Sequence, residues 1–133
     1  MADRILTWYI PGVLSETGVQ GTNVSTEFVL DGNYTPDVCQ VRSKDSVQGG
    51  ATSPSDLTPE SLDIDINDDG TSIFRQVPRL LSGTGRVESS AFTDGVLEDG
   101  SIVTLDIDRI PNEISGKDLT VHLELSANDD TNE

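Results

Sequence analysis

Several features that define common protein classes are scarce in this chain of 133 residues. It has a single cysteine, Cys39, so intramolecular disulfides and small disulfide-stapled secreted scaffolds are excluded. No run approaches the roughly 18 consecutive apolar residues of a membrane span, and the N-terminus lacks the apolar core of a signal peptide. We therefore expect one domain that is made and folded in a cytoplasm, has no membrane partner and carries Cys39 as buried filler.

Positive charge is also scarce, because 8 Lys and Arg face 24 Asp and Glu and leave a formal net charge of −16. A surface this negative repels nucleic-acid phosphates and acidic lipid headgroups at ordinary salt. Nucleic acid is therefore not expected as a partner.

Residues for catalysis are sparse as well. His122 is the single histidine, and the sequence places no Ser or Cys beside it. With one tryptophan, two tyrosines and three phenylalanines, the chain also has few aromatic rings on which a sugar could stack. Trp8 and Tyr9 are adjacent, so in a strand one side chain faces the core and the other the rim. We expect no enzyme activity and no cofactor.

The main pattern that the sequence does show is an alternation of apolar and polar residues with a period of two. It is clearest at 62–67, 102–108 and 117–125, with weaker strand candidates at 4–10, 26–30, 37–42, 71–75 and 90–93. No window shows helical periodicity. The apolar phase of the three clear strands predicts one shared core, formed by Leu62, Ile64, Ile66, Val103, Leu105, Ile107, Leu119, Val121 and Leu123.

Turn signals such as Asp31-Gly32 and Asp99-Gly100 separate these runs. Seven or eight short strands with this punctuation predict an all-β fold, a single antiparallel β-sandwich or jelly roll over residues 1–125. Residues 48–59 are rich in Gly, Ser and Pro and predict an exposed loop, and 126–133 predict a flexible acidic tail.

One segment offers a possible metal site. Asp65, Asn67 and Asp69, followed by Gly70, match the opening of an EF-hand-type calcium loop. The twelfth position is Gln76 rather than Glu, and no helices flank the loop. The alternative is a hairpin in which Asp69-Gly70 forms a two-residue turn and the carboxylates lie on the solvent-exposed face of the strand.

A second segment has the composition of a protein interface. Residues 75–87 contain no Asp or Glu, although the chain is so acidic. Arginine and aliphatic residues without acids are typical of docking surfaces. The predicted interface residues are Arg75, Arg79, Leu80, Leu81 and Arg86.

Five blocks of strand and turn sequence, covering about a quarter of the chain, resemble a family of small virion proteins of tailed bacteriophages. They are TWYIPG at 7–12, IDINDDGTSIF at 64–74, LEDGS at 97–101, TLDID at 104–108 and GKDLTV at 116–121. The resemblance implies a compact β domain that decorates a capsid or forms part of a tail or fibre, with no catalytic residues.

Two functional classes follow from composition and resemblance together. The first is a capsid decoration or cement protein that binds the major capsid protein, as a trimer at a three-fold or quasi-three-fold position of the virion. The alternative is a tail, fibre or baseplate module for host attachment. The scarcity of aromatic residues favours the first.

Overall fold

Backbone pairing organises most of the chain into β-strands. The computed structural model describes residues 3–14, 21, 24–53, 56–59, 61–93 and 95–128. The strands within these residues are β1 Arg4–Val13, β2 Phe28–Val29, β3 Tyr34–Arg42, β4 Ala51–Ser53, β5 Asp56–Pro59, β6 Leu62–Asp68, β7 Thr71–Ser72, β8 Arg79–Leu80, β9 Arg86–Ser89, β10 Ile102–Arg109 and β11 Lys117–Ala127.

These strands form two main sheets. One has four strands in the order β1-β11-β3-β9, and the other has five, in the order β2-β10-β6-β7 with β8 also paired to β6. All the described strand pairs are antiparallel. The predicted all-β antiparallel sandwich is confirmed, although several strands contain only two residues.

The core lies where the apolar faces of the strands meet. All nine residues predicted for it are fully buried and belong to one hydrophobic cluster. Trp8 adds its ring from β1, donates its indole N–H to the Thr26 carbonyl at 2.7 Å and meets Phe28 edge-on at 5.2 Å between ring centroids. Its neighbour Tyr9 is 54% exposed, so the predicted split between core and rim is confirmed.

Two predicted boundaries differ from the structure. Residues 48–59 contain the paired strands β4 and β5 rather than only a loop, because backbone bonds between strands do not require apolar side chains. Strand β11 continues through Ser126 and Ala127, which pair with Thr35 and Tyr34, so these two residues do not belong to the predicted tail. Residues 129–133 lie outside the described residues.

Candidate docking surface

The segment predicted as an interface, residues 75–87, divides between the two sheets. Its middle forms β8 at the edge of the five-stranded sheet, and its end begins β9 at the edge of the four-stranded sheet. Leu80 is fully buried in the core, so its prediction as a surface residue is wrong. The alternation of β8 explains this, because Leu80 pairs with the core residue Leu62 and faces inward with it.

The neighbours of Leu80 lie on the surface. Leu81 is 61% exposed, the largest exposure among the exposed large apolar side chains of the described residues. Arg75 and Arg86 are exposed too. Arg79 forms an ion pair within the domain, since its Nε lies 3.5 Å from the carboxylate of the nearly buried Asp63. Arg79 therefore has a structural partner, whereas the other two arginines point to solvent.

A groove runs along the side of the sandwich where β8 and β9 approach each other. Its volume is about 310 Å³, and its lining includes Val77, Pro78, Arg79, Leu81, Val87 and Glu88. Most of this lining is aliphatic. The sequence indicates Leu81 and Arg79 as part of this surface but misses Val77 and Val87, because the groove depends on two strands of different sheets coming together.

The EF-hand-like segment forms a hairpin. Asp69 and Gly70 have φ angles of +51° and +88°, and they connect Asp68 to its partner Thr71 in β7. Positive φ at both central positions is the geometry of a type I′ turn, which an Asp-Gly sequence favours. The predicted Asp69-Gly70 turn is confirmed.

The three candidate metal ligands make separate hydrogen bonds. The Asp65 carboxylate accepts from the Ser72 hydroxyl at 2.6 Å, and the Asp69 carboxylate accepts from the Ile102 amide at 2.9 Å. The Asn67 amide donates to Asp106 at 2.6 Å. No group of three or more His, Cys, Asp or Glu in the described part of the chain is arranged to hold a metal ion.

Several of these carboxylates share the outer face of the five-stranded sheet. Asp65 and Asp106 are direct cross-strand partners, and Asp108 lies further along β10. Burial raises the pKa of Asp65 and of Asp108, and the negative charge of nearby Asp106 raises both further. Ser72 partly offsets the effect by donating to Asp65. This face carries repelling charges rather than a ligand cage.

His122 lies on the outer face of the four-stranded sheet. Its Nδ1 is 3.0 Å from the hydroxyl of Thr7, its cross-strand partner on β1. Buried Cys39 has its pKa raised to about 12 by burial. The thiol is therefore protonated and inert as a nucleophile at neutral pH.

Comparison of the chain with protein-family models, with curated protein sequences and with solved structures returns no match. Within the residues described, no helix has the length and apolar character needed to cross a membrane. The chemistry of this surface therefore has to follow from its own residues.

Proposed function

We propose that this domain is a non-enzymatic structural protein of a tailed-bacteriophage virion, in which it decorates the capsid and stabilises the lattice of the major capsid protein. Three features support the proposal: the resemblance of the five sequence blocks, the cysteine-poor sandwich, and a charge that suits solubility before assembly and disfavours contact with packaged DNA. Assembly would take place in the host cytoplasm.

The observation that carries the proposal is the groove between β8 and β9. It combines the exposed Leu81 with a mostly aliphatic lining in which Glu88 is the one acid, and Arg75 and Arg86 adjoin lining residues in sequence, on a chain whose net charge is −16. The interior of protein interfaces is depleted in charge and enriched in Arg. We infer that a segment of a capsid subunit occupies the groove, with an apolar side chain against Leu81 and an acidic or neutral residue towards Arg75.

A trimer of this domain on a three-fold or quasi-three-fold axis belongs to the same proposal. Its support is the resemblance together with the symmetry of closed homo-oligomers, which matches the symmetry of a lattice position.

Occupancy on particles tests the groove. The variant Leu81→Ser with Arg75→Ser changes exposed residues only, and it spares Arg79, whose loss would leave Asp63 without its ion pair. The matched control is Val29→Ser, since Val29 is 60% exposed but lies on β2, at the edge of the five-stranded sheet remote from β8.

Particles that lack the protein are incubated with each variant, and the bound amount is quantified. We expect occupancy to fall about tenfold or more for the groove variant, with the melting temperature retained, because central apolar and Arg residues carry most of an interface energy. The control should bind like wild type. Full occupancy of the groove variant would refute docking through this groove.

A further inference from the structure

Four side chains form one line across the outer face of the four-stranded sheet. Tyr9 on β1 pairs with Thr120 on β11, Thr120 pairs with Arg42 on β3, and Arg42 pairs with Arg86 on β9. Direct cross-strand partners project from the same face. We call this line, Tyr9-Thr120-Arg42-Arg86, the basic row.

The two arginines of the basic row are the unusual part. They are direct cross-strand partners and both are exposed, and like charges in that position destabilise a sheet. Acids outnumber bases three to one in this chain, yet no described carboxylate lies within 4 Å of either guanidinium. The nearest acid along β9, Glu88, instead accepts a hydrogen bond from Gln40 at 3.1 Å.

Two lysines add positive charge at the same end of the sheet. Lys44 follows β3 and donates its amide to the Lys117 carbonyl at 2.8 Å, which brings the two residues together at the start of β11. A polar cavity of about 290 Å³ lies beside them, lined by Arg42, Ser43, Lys44, Asp118 and Thr120. Asp118 also faces this cavity, and its carboxylate accepts the Gly12 amide at 2.7 Å.

Four of the eight basic residues of the chain are thus gathered at one end of one sheet, namely Arg42, Lys44, Arg86 and Lys117. The ion pairs seen in the described residues are made by two of the other four, Arg4 and Arg79. An arginine fork matches a carboxylate with two parallel hydrogen bonds. Tyr9, 54% exposed at the end of the row, adds an apolar ring and a hydroxyl.

We propose that the basic row binds an acidic segment of a different protein, whose carboxylates lie against Arg42 and Arg86 and whose neighbouring residue packs on Tyr9. A second copy of this chain is a poorer occupant, because it brings a whole net charge of −16 against the same charge, whereas a short segment brings only the few carboxylates that the arginines pair with. This inference rests on the geometry of the row alone and does not depend on the proposed virion role.

The test uses the full chain, labelled with ¹⁵N, and a short blocked peptide of alternating Glu and Gly as probe. Amide shifts are followed by NMR at physiological salt. We expect the peptide to shift amides of the row and its flanks, and the shifts to diminish as salt is added, since screened charge-assisted contacts weaken. The same peptide with Gln in place of Glu should cause none.

Charge-matched variants locate the binding. Arg42→Gln with Arg86→Gln should weaken peptide binding about tenfold or more, as expected when charged partners are removed from a contact. Arg4→Gln with Arg109→Gln makes the same change of net charge outside both the row and the groove, and should bind like wild type. Melting temperatures of both variants show that the fold is kept.

Three results would overturn the proposal. Absence of peptide-dependent shifts at the row would show that the arginines have no affinity for an acidic segment. Inorganic phosphate that produced the same shifts with equal affinity would identify a general anion site. Shifts of the row amides that depend on protein concentration, without peptide, would identify a second copy as the occupant.

Discussion

Replacing Leu105 with Ala tests the alternation on which the whole fold assignment depends. Leu105 is fully buried on β10, where it faces Ile66 of β6, whereas Ile102 on the same strand is 41% exposed. Truncating each residue to Ala removes aliphatic carbons from the same strand, and only the face differs. The pair therefore separates the effect of core packing from the effect of shortening a side chain in β10.

The expected magnitude follows from what the truncation removes. Leu105→Ala deletes three carbon groups worth about 0.8 kcal/mol each when buried, or roughly 2.4 kcal/mol in transfer free energy. The cavity that remains raises the loss of unfolding free energy to about 3–5 kcal/mol. At about 3–5 °C per kcal/mol for a domain of this length, the melting temperature should fall by about 10 °C or more.

Differential scanning calorimetry and urea unfolding of wild type, Leu105→Ala and Ile102→Ala measure the difference. We expect Ile102→Ala to lower the free energy of unfolding by less than about 1 kcal/mol, because its side chain remains largely in solvent. Equal losses in the two variants, or an unchanged melting temperature for Leu105→Ala, would show that the face assigned to β10 is wrong.

Three further outcomes are expected. The pKa of Asp65 and of Asp108 is raised in the folded state, so as pH falls from neutrality the native chain binds protons before the unfolded chain does. The free energy of unfolding should therefore rise as pH falls towards these raised pKa values. In thermal melts at a series of pH values, Asp108→Asn should flatten this rise. Gly70→Ala should cost about 1 kcal/mol in urea unfolding because φ is +88° there, whereas Gly95→Ala, at a position without positive φ and with open space around it, should not destabilise. Cys39 should resist a thiol reagent in the native state and react once the chain is unfolded, because it is buried with a pKa of about 12.

The strands that local sequence predicts are those whose side chains alternate. In β6, β10 and β11 every second residue is aliphatic and buried over 62–66, 103–107 and 119–125. The Asp69-Gly70 turn is equally local, because the two residues themselves favour positive φ. Fold class and the nine predicted core residues of these three strands therefore follow from neighbouring residues alone.

The short strands could not be predicted in the same way. Strand β8 and the first two residues of β9 lie in a segment whose sequence, RQVPRLLSGTGRV at 75–87, has no alternating run. They exist because β6 and β3 offer backbone partners from far along the chain. Leu80 was assigned to the surface for this reason, and pairing with Leu62 places it in the core.

The docking surfaces depend even more on distant pairing. Arg42 and Arg86 are 44 positions apart in sequence and become direct neighbours only through the register of β3 and β9. Composition drew attention to Arg86 because its segment lacks acids, but nothing local distinguishes Arg42. The residues that line the groove all fall between 76 and 91, but the groove itself forms only because this segment is divided between two sheets by pairing with β6 and β3.

The copy number of this chain in purified virions tests the proposed function most directly. Quantitative gel analysis or mass spectrometry with labelled standards gives the ratio of the chain to the major capsid protein. A capsid decoration protein should be present at a ratio fixed by the lattice and comparable to that of the capsid subunit. A small number set by tail symmetry would assign the chain to a tail, fibre or baseplate, and absence from purified virions would contradict a virion role altogether.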